Sequence, residues 1–192
     1  MNKLFIHPTS TAEWLALIYE AKAEANCQVE LHEELESYLV FLLIRFMQQP
    51  GLATSVLGLE FLEGSHAIGQ QRQQQLKDVG DKCLLMSGLF PERAIKRRVQ
   101  LSYFVNLGKT AYYNVSQNEL KSLADLYAEL SHRFIQLLDV LQAIRRLAPQ
   151  EQGLDFWQAL DLWEETGSEA AKDTLEGLCP DLSFMKAPKT KL

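Results

Sequence analysis

The sequence predicts an all-α fold, a single-domain bundle of about seven or eight helices. Apolar residues recur at intervals of three and four along most of the chain, which is the period of a helix. Hydrophobic residues make up 47% and charged residues 23%, the composition of an ordinary globular protein. A length of 192 residues suffices for one core. We therefore expect one domain over residues 1–180 and a flexible, lysine-bearing tail over residues 181–192.

The first predicted helix begins with a capping box. Ser10 and Glu13 have the required spacing, at which each side chain accepts a hydrogen bond from the backbone N–H of the other residue. A second helix, over residues 30–49, has an acidic first turn and an apolar later half, so we expect it at the centre of the bundle. A shorter apolar segment over residues 52–62 closes at Gly64.

A corner is predicted at Gly88, between an apolar helical run and Pro91. Proline favours the first turn of a helix, so we expect Gly88 to end the preceding helix with a positive φ. Residues 99–107 alternate as a strand does, but Phe104 breaks the alternation and the longer window 101–115 has the period of a helix. We therefore predict a helix after the corner.

The most regular pattern lies in the second half of the chain. Ser116 and Glu119 have the spacing of a second capping box, and the apolar residues that follow alternate steps of three and four. This pattern predicts one long helix over residues 117–147, followed by two short helices over residues 154–165 and 168–178.

Charge and cysteine content limit the class of protein. The formal net charge of −6 disfavours nucleic-acid partners, because contact with phosphates needs a clustered positive surface. The most hydrophobic stretch, residues 38–47, contains Arg45 and has about half the length of a membrane span, so no membrane partner is expected. Cys27, Cys83 and Cys179 lack the spacing of a zinc site or a disulfide framework and are predicted to be reduced, buried thiols of a cytoplasmic protein.

Two segments around the corner carry a resemblance. Residues 79–92 read VGDKCLLMSGLFPE, and residues 101–112 read LSYFVNLGKTAY. Together they resemble a signature shared by a group of uncharacterised helical bacterial proteins. The resemblance implies a bacterial origin and no particular activity.

Two Glu-x-x-His pairs, Glu63 with His66 and Glu129 with His132, have the spacing of di-iron carboxylate ligands in four-helix bundles. The phase of the surrounding helix places Glu129 and His132 away from its apolar face, on the solvated side. We therefore predict that these residues lie at the surface and that the protein holds no metal and no cofactor.

A compact basic turn and a set of polar residues near the corner are further candidates. Arg93 and the basic residues at positions 96–98 suit an anion or acidic partner, although a solvated helix end is the favoured interpretation. Polar groups between glycine-rich helices suit a small-molecule pocket, or alternatively only structural roles such as a pair between Asp81 and Lys109. The candidate ligand-binding residues are Asp81, Arg93, Tyr103, Asn106, Lys109 and Tyr112, with Ser87 nearby.

The favoured function is that of a non-enzymatic interaction or regulatory protein that self-associates. The apolar stripe over residues 120–148 is broad, and Trp157 and Trp163 lie in a short helix with little core of its own, which predicts a homodimer or a protein partner. No catalytic set of residues emerges. The alternative is a small-ligand or metal-binding helical enzyme.

Overall fold

The computed structural model describes residues 10–24, 31–48, 56–96, 99–117, 121–147, 153–179 and 188. These residues contain ten α-helices and no strand, which confirms the all-α prediction with more helices than expected. The helices are α1 (Thr11–Glu24), α2 (Glu33–Gln48), α3 (Leu57–His66), α4 (Gly69–Leu89), α5 (Pro91–Lys96), α6 (Leu101–Ser116), α7 (Lys121–His132), α8 (Phe134–Leu147), α9 (Phe156–Thr166) and α10 (Glu169–Leu178). Of the predicted tail, residues 181–192, only Pro188 lies within the described part of the chain.

Helix α4 occupies the centre of the bundle and packs against α3, α5, α6 and α8. The first half of α4 is polar and borders solvent, whereas residues 83–90 are buried all round. Helix α2, which the sequence places at the centre, packs against α1 and α7 and leaves Phe41 65% exposed. With the exception of Ala170, the buried apolar side chains of the described residues form one continuous cluster. Within this part of the chain, no helix is both long enough and apolar enough to cross a membrane.

Within the described residues, side-chain capping interactions are present at the start of three helices. The predicted box at α1 is confirmed, because the Ser10 hydroxyl accepts from the Glu13 N–H at 3.3 Å and the Glu13 carboxylate accepts from the Ser10 N–H at 3.3 Å. Asp155 and Gln158 form the same reciprocal box at α9, and Ser168 caps α10. The two short C-terminal helices therefore begin close to their predicted positions.

Two predicted helix boundaries are wrong. Ser116 does not cap a new helix; it is the last residue of α6, and its hydroxyl donates to the carbonyl of Tyr113 at 2.7 Å. Residues 118–120, which include the rest of the predicted box, lie outside the described residues. Gly64 does not end α3 but lies buried inside it, where a Cβ atom would come within 3.3 Å of Leu76 of α4.

The predicted long helix over residues 117–147 is interrupted at Arg133, which separates α7 from α8. Backbone hydrogen bonds continue through this interruption, from the Arg133 N–H to the Glu129 carbonyl at 2.8 Å and from the Leu137 N–H to the Arg133 carbonyl at 3.0 Å. Two residues before Arg133, the Ser131 hydroxyl donates to the backbone carbonyl of Lys109 in α6 at 2.9 Å. This bond holds α7 against α6. Helix α8 packs against α1, α4 and α10. The two halves of the predicted helix therefore have different main packing partners.

Gly88 lies inside α4 and not at a left-handed corner, because the helix continues to Leu89. Among the described glycines, only Gly69 and Gly167 have a positive φ. A Cβ atom on Gly88 would lie 2.6 Å from the Cβ of Leu141 in α8. Glycine is thus needed here for the close approach of two helices, and the predicted conformational reason is wrong.

We expect Gly88→Ala to lower the free energy of unfolding by about 1–3 kcal/mol, the range typical of overpacked cores. No rotation of the Leu141 side chain moves its Cβ away, so α4 and α8 must separate. Gly177→Ala in α10 is the matched control, since a Cβ atom on Gly177 would have no neighbour within 4 Å and alanine favours a helix by up to about 1 kcal/mol over glycine. Chemical denaturation measures both changes, and a Gly88→Ala protein as stable as the parent would contradict the close approach.

Candidate functional site

A buried carboxylate links three helices. Asp81 of α4 is 1% exposed and accepts three hydrogen bonds. The hydroxyls of Tyr38 in α2 and Tyr112 in α6 donate to its Oδ1 atom at 2.5 and 2.7 Å, and an Nη of Arg45 in α2 donates to its Oδ2 atom at 2.9 Å. Each of these bonds crosses from one helix to another, so Asp81 fixes the relative positions of α2, α4 and α6.

Local sequence explains how the three partners reach Asp81. Tyr38 and Arg45 are seven residues apart, which places them on the same face of α2, two turns from each other. Gly80 allows the ring of Tyr112 to lie directly on the α4 backbone, because a Cβ atom there would be 2.5 Å from the ring. The rings of Tyr38, Tyr112 and Tyr127 pack mutually, with centroids 6.1–6.2 Å apart.

Burial dominates the electrostatics of this cluster. It raises the pKa of Asp81, while the charge of Arg45 and the two tyrosine hydrogen bonds act in the opposite direction. Burial, reinforced by the charge of Asp81, raises the pKa of Tyr38 and of Tyr112 well above 10. Three donors therefore surround the carboxylate, and neither tyrosine releases its proton near neutral pH.

A groove runs from this cluster to solvent between α2 and α7, and we call it the α2–α7 groove. Its inner part is a cavity of about 310 Å³ that reaches Asp81, Arg45 and Lys77. Its outer part is a cavity of about 490 Å³ that reaches Glu33 and Glu34 in the first turn of α2. The two parts share four lining side chains, Tyr38, Phe41, Leu123 and Leu126. The groove is thus apolar along its walls and charged at its two ends.

The structure brings together only two of the six predicted ligand-binding residues, Asp81 and Tyr112. Tyr103 and Asn106 lie on the exposed side of α6. The predicted pair between Asp81 and Lys109 is wrong, because Arg45 and two tyrosines occupy the carboxylate and Lys109 does not line the groove.

The basic turn lies apart from the groove. Arg93 stacks its guanidinium over the ring of Phe90, 4.6 Å from the ring centroid. Ser87, also predicted near the pocket, is fully buried and donates to the carbonyl of Cys83 at 2.7 Å. Positions 97 and 98 lie outside the described residues, as does Cys27. Cys83 is buried as predicted, and burial raises the pKa of its thiol, whereas Cys179 is half-buried.

The Glu-x-x-His residues lie at or near the surface. Glu63, His66 and His132 are exposed, and half-buried Glu129 pairs with Arg133 at 3.3 Å and lies 3.5 Å from a ring nitrogen of His32. The described residues contain no group of three or more His, Cys, Asp or Glu side chains placed to hold a metal ion.

A second cavity, of about 510 Å³, lies beside α5, α6 and α9. Two of its carboxylates are engaged in structural hydrogen bonds. Asp155 caps α9, and Asp161 accepts from both the backbone N–H and the hydroxyl of Ser102, each at 3.1 Å. Trp157, on its rim, is 74% exposed. Of the predicted apolar stripe over residues 120–148, the part in α8 is buried within the chain, whereas Leu123 in α7 is 43% exposed. The predicted homodimer therefore depends on Trp157 and Leu123.

Comparison with protein-family models, with curated proteins and with solved structures finds no match for this chain. The chemistry of the α2–α7 groove is therefore the basis for inferring a function.

Proposed function

We propose that this protein binds a small amphipathic organic molecule in the α2–α7 groove and does not transform it by acid–base chemistry. The observation that carries the proposal is the position of the Asp81 cluster at the inner end of a groove with apolar walls. Ligand sites in proteins commonly combine such walls with a few fixed polar groups, in cavities of about 300–1,000 Å³. Both parts of the groove have volumes in that range.

The state of the polar groups favours binding over catalysis. A general base needs a free acceptor with a pKa near the working pH, whereas Asp81 already accepts from Tyr38, Tyr112 and Arg45. The high pKa values of the two tyrosines make them poor proton donors. The cluster therefore serves as a rigid floor, and its hydrogen bonds keep α2 and α4 in place while a ligand enters and leaves.

An uncharged fluorophore that brightens in apolar surroundings, N-phenyl-1-naphthylamine, tests the groove directly. We expect saturable binding to the parent and at least tenfold weaker binding to Leu123→Glu, because the new carboxylate would have to lose water when the fluorophore enters. Leu123 lines both parts of the groove. Leu62→Glu is the matched control, since Leu62 is 56% exposed on α3, outside the groove, and we expect it to bind as the parent does. Equal binding to the parent and Leu123→Glu would overturn the proposal.

A further inference from the structure

Charge is distributed unevenly along the α2–α7 groove. The inner part is lined by the cations Arg45 and Lys77 and by one carboxylate, Asp81. The outer part is lined by Glu33 and Glu34, with no basic side chain among its lining residues. The lining of the inner part has a formal charge of +1 and that of the outer part a charge of −2, with apolar residues between them. Asp78, outside this lining, also pairs with Arg45 at 3.3 Å, so Lys77 is the inner cation that is not paired with a carboxylate of the described residues.

The inner cations have unused hydrogen-bond donors, whereas the inner carboxylate is fully engaged. The Nε of Arg45 is buried and has no hydrogen-bond partner within the described part of the chain. Lys77 makes no hydrogen bond or ion pair with a side chain of the described residues, although its charge acts on Asp81 from a distance. Buried donors without an acceptor are unfavourable, so a ligand acceptor at this point would be stabilising.

We propose that the groove binds an amphipathic monocarboxylate, with its carboxylate toward Arg45 and Lys77 and its apolar body along Phe41, Leu123 and Leu126. This inference depends on the proposed function and names the class of its ligand. Arg45 already pairs with Asp81 and Asp78, so a single negative charge balances Lys77. The ligand carboxylate can accept from Lys77 and from the Nε of Arg45. Glu33 and Glu34 at the outer end repel a second anionic group, so the rest of the molecule is apolar or uncharged.

Octanoate and 1-octanol separate this inference from the proposed function, because they share an apolar chain and differ in the head group. Each is titrated against the bound fluorophore. We expect octanoate to displace it at about fivefold lower concentration than octanol, since one partly exposed charge pair contributes up to about that factor. Equal displacement by the two compounds would overturn the carboxylate inference and leave the groove as a binding site, whereas no fluorophore binding at all would overturn the proposed function.

Lys77→Met tests whether the ligand carboxylate lies beside Lys77, and it removes no hydrogen bond or ion pair to a side chain of the described residues. We expect this variant to lose the preference for octanoate and to keep its affinity for octanol. Lys109→Met is the control with the same charge change, because Lys109 lies on α6 away from the groove lining, and it should behave as the parent. An unchanged preference in Lys77→Met, or an equal loss in Lys109→Met, would overturn the inference. The inference would also be overturned if the parent formed a concentration-dependent dimer and Leu123→Glu abolished it, because a second copy of the chain would then occupy the groove.

Discussion

Replacing Asp81 with alanine is expected to lower the free energy of unfolding by about 3–5 kcal/mol, the range for removing one partner of a buried charge pair. The variant leaves the hydroxyls of Tyr38 and Tyr112 without their acceptor in a buried site, and it leaves Arg45 without its closest counter-charge. Each unsatisfied buried donor adds to the loss. Urea denaturation followed by circular dichroism measures the change.

Asp78→Ala supplies the matched control for this experiment. Asp78 lies one turn away on α4 and also contacts Arg45, at 3.3 Å, but its side chain is 33% exposed. Ion pairs with that exposure contribute less than about 1 kcal/mol. If both variants lost the same small amount of stability, Asp81 would not be the residue that joins α2, α4 and α6.

The second large effect concerns Asp139, a buried carboxyl group of α8 at the N-terminus of α10. Burial raises its pKa to about 7, although the Ser168 hydroxyl at 2.5 Å and the backbone N–H groups of Glu169 and Ala170 act to lower it. The ordinary carboxyl value is about 4. In the folded protein the group therefore keeps its proton across a pH range in which the unfolded chain has already lost it.

The stability of the parent should consequently fall as pH rises from about 4 to 7. Below pH 4 both states bind the proton and the contribution of Asp139 is complete; above pH 7 both have lost it and folding includes burial of the charge. A pKa difference of this size corresponds to at most about 4 kcal/mol. Denaturation midpoints measured between pH 4 and 8 check the prediction, and the parent must lose stability over this interval relative to Asp139→Asn.

Asp139→Asn removes the titrating group and keeps an oxygen that accepts from Ser168. Asp173→Asn, at an exposed position of α10, is the control and should follow the pH profile of the parent. If parent and Asp139→Asn had parallel profiles, the carboxyl group at position 139 would not titrate differently in the folded and unfolded chain.

Local patterns in the sequence predict the helices well. The capping box at Ser10 and the helix over residues 101–116 depend on neighbours three or four residues apart, and such interactions are present within the helix itself. The interruption at Arg133 lies two residues from Ser131, whose hydroxyl donates to the backbone of α6. Such a contact with a distant helix leaves no mark on the local pattern, which therefore predicts one long helix.

The site was only partly predictable for the same reason. The sequence marks Asp81 and Tyr112 as polar groups in apolar helices, but it does not predict their contact with Tyr38 and Arg45, which lie 43 and 36 residues from Asp81. Helical periodicity shows which face of α2 is apolar and not which helix covers it. Arg45 in the most hydrophobic stretch was the available signal, since a cation in such a helix needs a buried counter-charge.

The two helices on either side of Arg133, α7 and α8, also differ in how much of each is buried, and therefore in how readily each should open locally. Residues 137–145 of α8 are all buried, whereas Tyr127 and Leu130 are the buried side chains among residues 123–132 of α7. We therefore expect the amide hydrogens of α8 to exchange with solvent more slowly than those of α7, which can exchange through local opening. Because α7 forms one wall of the groove, we expect the proposed ligand to enter and leave on the timescale of that local opening, with α4 and α8 still folded.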